Sequence, residues 1–218
     1  MNETTIKEFF DAYSQVAILK TPFRQGMAEE MIISGEDQDG WVEWKMIRGT
    51  LQRRDYRAIE EKYNLNFPES FMEWHMAYHF FECETPFVRL PESNPKQPLE
   101  AIAGNLDWAA LLIKQKLYPF ADEGNDTGPL VFDAREAVED NEFPIRVYDH
   151  EYIDFTKGLG PVIFSSFTKL IECMTHYFRN IGKKPKAEII EDFFSIDPAG
   201  AGTTGVGYWK GWMGMLRN

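Results

Sequence analysis

"FPESFMEWHMAYHFF", residues 67–81, is the stretch of sequence that decides the fold. Pro68 suits the first turn of a helix, where its missing N–H costs nothing. At about 100° per residue, the side chains that follow are apolar on most of the helix circumference, and only Glu73 clearly needs water. A helix of this kind is buried between layers, so the pattern predicts a central helix that reaches Phe81.

Periodicity on both sides of this segment predicts more helices and a sheet. The predicted helices span residues 3–19, 52–63, 99–116 with an interruption at Gly104, and 165–181. The predicted strands span residues 41–47, 85–93, 117–121, 129–134 and 143–149. The last three strands are separated by turn-rich and acidic loops, which indicates an antiparallel meander. The predicted class is α+β: a mixed, largely antiparallel central sheet packed against helices, with helical N- and C-terminal additions.

The length and composition indicate one compact body. With 218 residues, of which 44% are hydrophobic and 27% charged, the chain can bury a proper core and has an ordinary globular composition. We expect a single domain over residues 1–218, with its core at roughly 41–180. Residues 1–33 are expected to form a docked helical arm, and residues 183–218 a C-terminal appendage.

The charge balance, the cysteines and the N-terminus indicate which binding partners and which cellular location to expect. Lys and Arg total 23 against 35 Asp and Glu, a formal net charge of -12 that repels phosphate backbones and anionic lipid. We therefore expect no direct binding of nucleic acid and no membrane contact, while a basic partner is favoured. Cys83 and Cys173 have neither disulfide nor metal spacing, so two reduced, buried thiols are expected. The acidic N-terminus does not fit a secretory signal, which favours a cytoplasmic protein.

Two histidines in the central segment have the spacing of a metal motif. His75 and His79 are four residues apart, as in HExxH, where one helix offers two imidazoles to zinc. The glutamate that such sites need is missing, since position 76 is Met, and spacing indicates no third ligand. Core or edge histidines are the favoured interpretation, and a metal site is the alternative.

Two glycine-containing stretches suggest ligand sites that their context does not support. "GAGTTGVG", residues 200–207, satisfies GxGxxG, but too little chain follows for a dinucleotide fold, so a flexible turn before a terminal helix is favoured. "DEGNDTG", residues 122–128, offers oxygen ligands for calcium but lacks the later bidentate glutamate. A turn that joins two strands is the favoured interpretation.

Several short motifs lie in a characteristic order along residues 41–178. "WVEWKMI" precedes "IEEKYNLNFPESFMEWHMAYHFF", and "LYPFADEGNDTGPLVFDA", "FPIRVYDHEY" and "SSFTKLIECM" follow. This order resembles the Smi/Knr type, or SUKH superfamily, of bacterial immunity proteins. The best-matched positions are Ile59, Glu60, Leu65, Phe67, Pro68, Ser70 and Phe71. The chain departs from the family pattern at "QRR", residues 52–54, where a capping Thr and acids are usual, and in its two terminal additions.

The resemblance implies a protein that binds and neutralises a cognate toxin of a polymorphic toxin system and performs no catalysis. Such toxins are often nucleases with basic surfaces, and an acidic partner would speed encounter and fill a groove meant for phosphates. The candidate partner-binding acids lie in the turns of the meander: Asp122, Glu123, Asp126, Glu139, Asp140, Glu142, Asp149, Glu151 and Asp154. The alternative is that these acids only solvate loops.

Two other classes of function stay open on the sequence. The same family includes regulatory or scaffold proteins of the cell-wall synthesis regulator type. An enzyme is the other alternative, either a metal-dependent hydrolase using His75 and His79 or a nucleotide-binding protein using the terminal glycines. No constellation of catalytic residues is recognised, so we predict a non-enzyme with no cofactor and no metal.

Overall fold

The structure, a computed structural model, describes residues 1–136, 142–152 and 155–217. It confirms a mixed α+β fold in which a five-stranded antiparallel sheet packs against helices. The helices are α1 (Glu3–Val16), α2 (Arg57–Tyr63), α3 (Glu69–Ala77), α4 (Glu100–Asp107), α5 (Ala110–Lys114), α6 (Phe155–Gly158), α7 (Phe167–Asn180), α8 (Lys186–Glu191), α9 (Phe193–Ile196) and α10 (Val206–Met215). The strands are β1 (Lys20–Pro22), β2 (Trp41–Glu43), β3 (Ile47–Arg48), β4 (Tyr78–His79), β5 (Val88–Arg89), β6 (Leu117–Glu123), β7 (Pro129–Asp133), β8 (Ile145–Tyr148) and β9 (Leu159–Phe164). Within the described residues, no helix has both the length and the apolar character needed to cross a membrane.

The central sheet is an antiparallel meander in the order β5-β6-β7-β8-β9. It confirms the three successive strands predicted from residues 117, 129 and 143. The sequence pattern misses β9, because glycine and proline in "LGPVIF" argue against the interior of a strand. β9 lies at the edge of the sheet, where the exposed Pro161 removes no ladder hydrogen bond that the sheet needs.

The central helix ends earlier than the sequence predicts. α3 stops at Ala77, and the next two residues form β4, which pairs with β3. The cause is a tertiary contact: the amide of Gly49, just after β3, donates to the carbonyl of Ala77 at 3.0 Å. A Cβ at Gly49 would lie 1.9 Å from the carbonyl oxygen of Met76, so only glycine permits this approach. Strand pairing thus replaces the last turn of the predicted helix.

Two other predicted helices differ in detail. The segment 99–116 is broken at Trp108 and Ala109, where α4 gives way to α5, and not at Gly104, which lies inside α4. The break turns Ala109 into the protein, at 1% exposure. Before α2, Gln52 and Asp55 form a capping box around a short 3-10 turn. This pair satisfies the first N–H groups where the expected threonine cap is missing.

An aromatic core joins α3, the inner face of the sheet and α7. The ring of Phe71 on α3 lies 5.7 Å from Phe120 of β6, 5.5 Å from Phe132 of β7 and 5.2 Å from Phe167 of α7. Phe120 and Phe132 are themselves stacked at 3.9 Å. All four rings are fully buried, so α7 covers the sheet as predicted.

The N-terminal helix docks on α7, as expected for the arm. Phe9 of α1 lies 5.7 Å from Phe178 of α7 and 5.8 Å from Trp74 of α3. Both Phe9 and Trp74 are fully buried. The N-terminal arm also contains a strand, because β1 follows α1 and pairs with β2.

The C-terminal segment packs along the β9 edge of the sheet. The indole N–H of Trp209 donates to the carbonyl of Ile163 at 3.0 Å, and the hydroxyl of Thr204 donates to the carbonyl of Val162 at 2.9 Å. The glycine-rich stretch is a π-helical turn over Gly200–Thr204 that is partly buried, and the predicted terminal helix is α10. The segment therefore covers an edge that would otherwise expose unpaired backbone groups.

Asp197 holds this segment to the sheet. Its carboxylate is 0% exposed and accepts hydrogen bonds from the amide of Ser165 at 2.8 Å, the hydroxyl of Ser165 at 2.6 Å, the amide of Gly200 at 3.0 Å and the amide of Ala201 at 3.2 Å. One buried carboxylate thus satisfies donors on both sides of the junction.

We expect Asp197→Ala to lower the free energy of unfolding by about 3 kcal/mol or more, because four donors, two of them fully buried, lose a charged acceptor. Chemical denaturation monitored by circular dichroism measures this. The matched control is Glu191→Gln at an exposed position of α8, which should change stability by less than about 0.5 kcal/mol. Equal stability of the two variants would show that Asp197 does not fix the C-terminal segment.

Candidate functional site

The structure brings three of the predicted acids to one end of the sheet. Asp126 lies in the turn between β6 and β7, and Asp149 and Glu151 follow β8. The two segments are in contact, since the amide of His150 donates to the carbonyl of Thr127 at 3.2 Å. The Asp126 side chain is 94% exposed, and Glu151 is also exposed. Asp149 is half-buried, and its Oδ1 accepts a hydrogen bond from the amide of Glu151 at 3.0 Å. We call these three residues the acidic edge; a partner can reach it most readily at Asp126 and Glu151.

Glu123 lies in the same turn, but its carboxylate faces inward. The residue is 2% exposed and accepts hydrogen bonds from the amide of Asn125 at 2.6 Å and the hydroxyl of Tyr208 at 2.9 Å. It therefore shapes the turn and ties it to α10, and it is not presented to a partner. The turn joins two strands, as predicted.

Asp122 lines a separate cleft of about 280 Å³, which it shares with Arg24 and Glu82. Partial burial raises the pKa of the Asp122 carboxyl, with Arg89 opposing the rise and Asp126 adding to it. Burial likewise raises the pKa of Glu82. Asp122 and Glu82 are thus less readily ionised than carboxyls in open water.

Glu142 lies at the opposite end of the sheet, ahead of β8. Its carboxylate accepts a hydrogen bond from the amide of Phe167 at 3.0 Å and so stabilises the start of α7. Glu142 is therefore separated from the acidic edge and has a structural role. The remaining predicted acids, Glu139, Asp140 and Asp154, lie outside the described residues.

His75 and His79 do not share a helix face, because His79 lies in β4. Both are fully buried. Nδ1 of His75 accepts from the hydroxyl of Tyr56 at 2.8 Å, and Nε2 donates to the carbonyl of Glu92 at 3.3 Å. Both ring nitrogens of His75 are thus hydrogen-bonded within the protein.

His79 is held in the same way. Its Nε2 accepts from the amide of Thr50 at 3.1 Å and from the hydroxyl of the same residue at 2.8 Å, and Nδ1 donates to the hydroxyl of Ser93 at 2.9 Å. Among the residues that the structure describes, no three His, Cys, Asp or Glu side chains are grouped to hold a metal ion. The two histidines act as buried hydrogen-bonding groups, the interpretation that the sequence favours.

The glycines of the C-terminal segment and the two cysteines also have structural settings. A Cβ at Gly200 would lie 2.3 Å from the amide nitrogen of Ser165, so protein backbone occupies the space that a phosphate would need there. Cys83 and Cys173 are buried and free, as expected. Burial raises the pKa of both thiols, which keeps them protonated and weakly nucleophilic at neutral pH.

An apolar surface beside the acidic edge is the feature that sequence reasoning missed. Trp108, Leu111 and Tyr152 expose 57%, 58% and 48% of their surface. The signal in the sequence is "DWAALLIK": Trp108 and Leu111 are three residues apart, and so are Ala109 and Leu112, so α5 and the two residues before it carry two apolar faces. Only one of them can face the sheet.

The inward face of α5 covers a second, smaller core on the outer side of the sheet. Ala109 and Leu112 pack there with Leu117, Val131 and Tyr148. Above this core lies a groove of about 360 Å³, with the three exposed side chains at its rim. We call the surface formed by Trp108, Leu111 and Tyr152 the apolar rim. This arrangement can bind a protruding apolar group, and His150 also lines the groove.

Comparison with known proteins adds no family to these observations: no family model matches the sequence, and no curated protein matches it. The acidic edge and the apolar rim are the accessible features that a proposal of function has to explain.

Protonation of His75 should destabilise the fold. Burial lowers its pKa from 6.5 to about 4, so the unfolded chain binds the proton more readily, and stability falls as the pH drops from the unfolded towards the folded value. We expect protonation of His75 to lower the free energy of unfolding by about 3 kcal/mol as the pH falls from about 7 to 4. Denaturation across this range for the wild type and for His75→Gln measures it, since carboxyl titrations common to both cancel in the difference. Parallel pH profiles would contradict the assignment.

Proposed function

We propose that this chain is an immunity protein that binds a basic bacterial toxin, with a nuclease as the favoured class, and neutralises it in the cytoplasm by occupying its active surface. The proposal rests on the resemblance of residues 41–178 to the SUKH superfamily and on the net charge of -12. The observation that carries it is the acidic edge, where Asp126, Asp149 and Glu151 meet at one end of the sheet.

The charge of this edge suits rapid capture of a basic partner. Exposed carboxylates attract a cationic surface over about a Debye length and raise the rate of encounter. Neither Asp149 nor Glu151 forms an ion pair with a cation of the described residues, and Arg89 approaches Asp126 only at 4.0 Å. The exposed carboxylates of Asp126 and Glu151 can meet Lys and Arg side chains of a nuclease, where they would take the place of phosphates.

The metal-hydrolase alternative lacks comparable support. His75 and His79 would have to give up hydrogen bonds to Tyr56 and Thr50 before either ring could bind a metal. Burial also lowers the pKa of both rings, which keeps them neutral. Both rings are fully buried, whereas a catalytic group has to come within hydrogen-bond reach of its substrate. Binding to a protein partner makes use of groups that are exposed.

The test is to mix the purified chain with the candidate toxin encoded beside its gene and follow toxin activity and binding kinetics. We expect loss of activity at equimolar protein and an association rate that falls with added salt. The triple reversal Asp126→Lys, Asp149→Lys and Glu151→Lys should slow association by about tenfold or more, with the fold retained by circular dichroism.

The matched control reverses three exposed acids of the N-terminal region, Glu29, Glu36 and Asp39, to Lys. It changes the net charge equally but leaves the acidic edge intact. Equal slowing by both triple variants would mean that only net charge matters and would remove the acidic edge from the proposal. A chain that neither binds nor inhibits the toxin would end the immunity function.

A further inference from the structure

The apolar rim is an unusual surface for a chain that is otherwise rich in charge. Trp108 and Leu111 each expose more than half of their area, and Tyr152 faces them across the groove. Single exposed apolar residues are common, but a contiguous group around a preformed groove marks a binding surface. Trp and Tyr are also the residue types that supply most of the energy at protein interfaces.

The rim rests on a rigid support. Leu112 of α5 is 2% exposed and Ala109 is 1% exposed, so the helix is fixed to the sheet by the side opposite Leu111. The hydroxyl of Tyr148 donates to the carbonyl of Tyr152 at 2.8 Å, which ties the backbone of Tyr152 to β8. A partner therefore meets a surface that is already ordered and loses little free energy in ordering it.

The charges around the rim select the partner. On the loop side the rim is bordered by Asp149 and Glu151, which lack ion pairs with described cations. On the α4 side, Asp107 is neutralised by Lys62 at 2.9 Å. A second copy of this chain would bring a further charge of -12 to the contact, so self-association is opposed and a cationic partner is favoured.

We propose that the apolar rim is the anchor site for a basic protein partner, which inserts an aromatic or aliphatic side chain into the groove while flanking Lys or Arg side chains pair with Asp149 and Glu151. The inference rests on the proposed function for the identity of that partner. It adds the place of contact, at α5 and the residues that follow β8. The apolar insertion supplies affinity, and the charges supply the rate of encounter.

The test uses a phage-displayed library of random twelve-residue peptides, selected on the intact purified chain. We expect selected peptides to combine an aromatic or aliphatic residue with Lys or Arg. Their affinity should fall about tenfold or more on the double substitution Trp108→Gln and Leu111→Gln, since each residue at such an anchor is worth about a factor of ten in the dissociation constant. Gln is a good helix former, so α5 should persist.

The matched control is Ile18→Gln with Ile33→Gln, which removes two apolar side chains exposed by 85% and 61% elsewhere on the surface. It should leave peptide affinity unchanged. Three results would overturn the inference: no peptide is selected, selected peptides bind the rim variant as tightly as the wild type, or the wild type dimerises in sedimentation equilibrium and the rim variant does not. The last result would identify a second copy as the occupant.

Failure of this inference is distinguishable from failure of the immunity function. If the rim variant still neutralises the toxin at an unchanged dissociation constant, the immunity function stands and the anchor site is wrong. If peptides bind the rim as expected but the wild-type chain does not inhibit the toxin, the anchor site stands and the partner is a different basic protein.

Discussion

The contact of Phe71 with three other aromatic rings is the constraint on which the rest of the structure depends. This one side chain touches the sheet at Phe120 and Phe132 and touches α7 at Phe167, all within 5.7 Å between ring centres. It therefore fixes α3 between two layers and commits the inner face of the sheet to the core. Because that face is closed, a partner can reach the sheet only at its outer side, its ends or its edges.

The outer side is covered unevenly, and this explains where accessible groups lie. α5 shields Leu117, Val131 and Tyr148 along this side. Asp133, which pairs with Leu117 across β6 and β7, is fully buried between Arg135 and Arg146, each of which donates to its carboxylate at 2.7 Å. Burial works to raise the pKa of Asp133, but the hydrogen bonds from the two guanidinium groups outweigh it and lower the pKa. Asp133 is thus neutralised within the protein, whereas the β6–β7 turn and the residues that follow β8, at the far end of these strands, keep Asp126 and Glu151 exposed.

The sequence predicts the parts of this fold that depend on local pattern. The meander and the helices α1, α2 and α7 follow from periodicity and turn residues, which act within one segment. The end of α3 does not, since it depends on the approach of Gly49 from a distant strand. β9 does not either, because its glycine and proline are acceptable only at a sheet edge covered by the C-terminal segment.

The candidate site shows the same division between local and tertiary information. The acids of the turns can be recognised from sequence, but the hydrogen-bond partner of each carboxylate cannot. Glu123 accepts from Tyr208, and Glu142 accepts from the amide at the start of α7. The apolar rim cannot be predicted from the pattern alone. Both faces of the α5 segment are apolar, and the sequence does not tell which of them packs on the sheet. Exposure is a property of the folded chain, so it has to come from the structure.

This chain is proposed to act by presenting its acidic edge and its apolar rim to a basic protein. Hydrogen–deuterium exchange, measured with and without the toxin encoded beside its gene, tests this most directly. We expect slower exchange in peptides that cover residues 108–114 and 148–152, with exchange in α3 and α7 unchanged. Protection confined to residues 20–43 or 200–215, with none at α5 and the loop after β8, would contradict it.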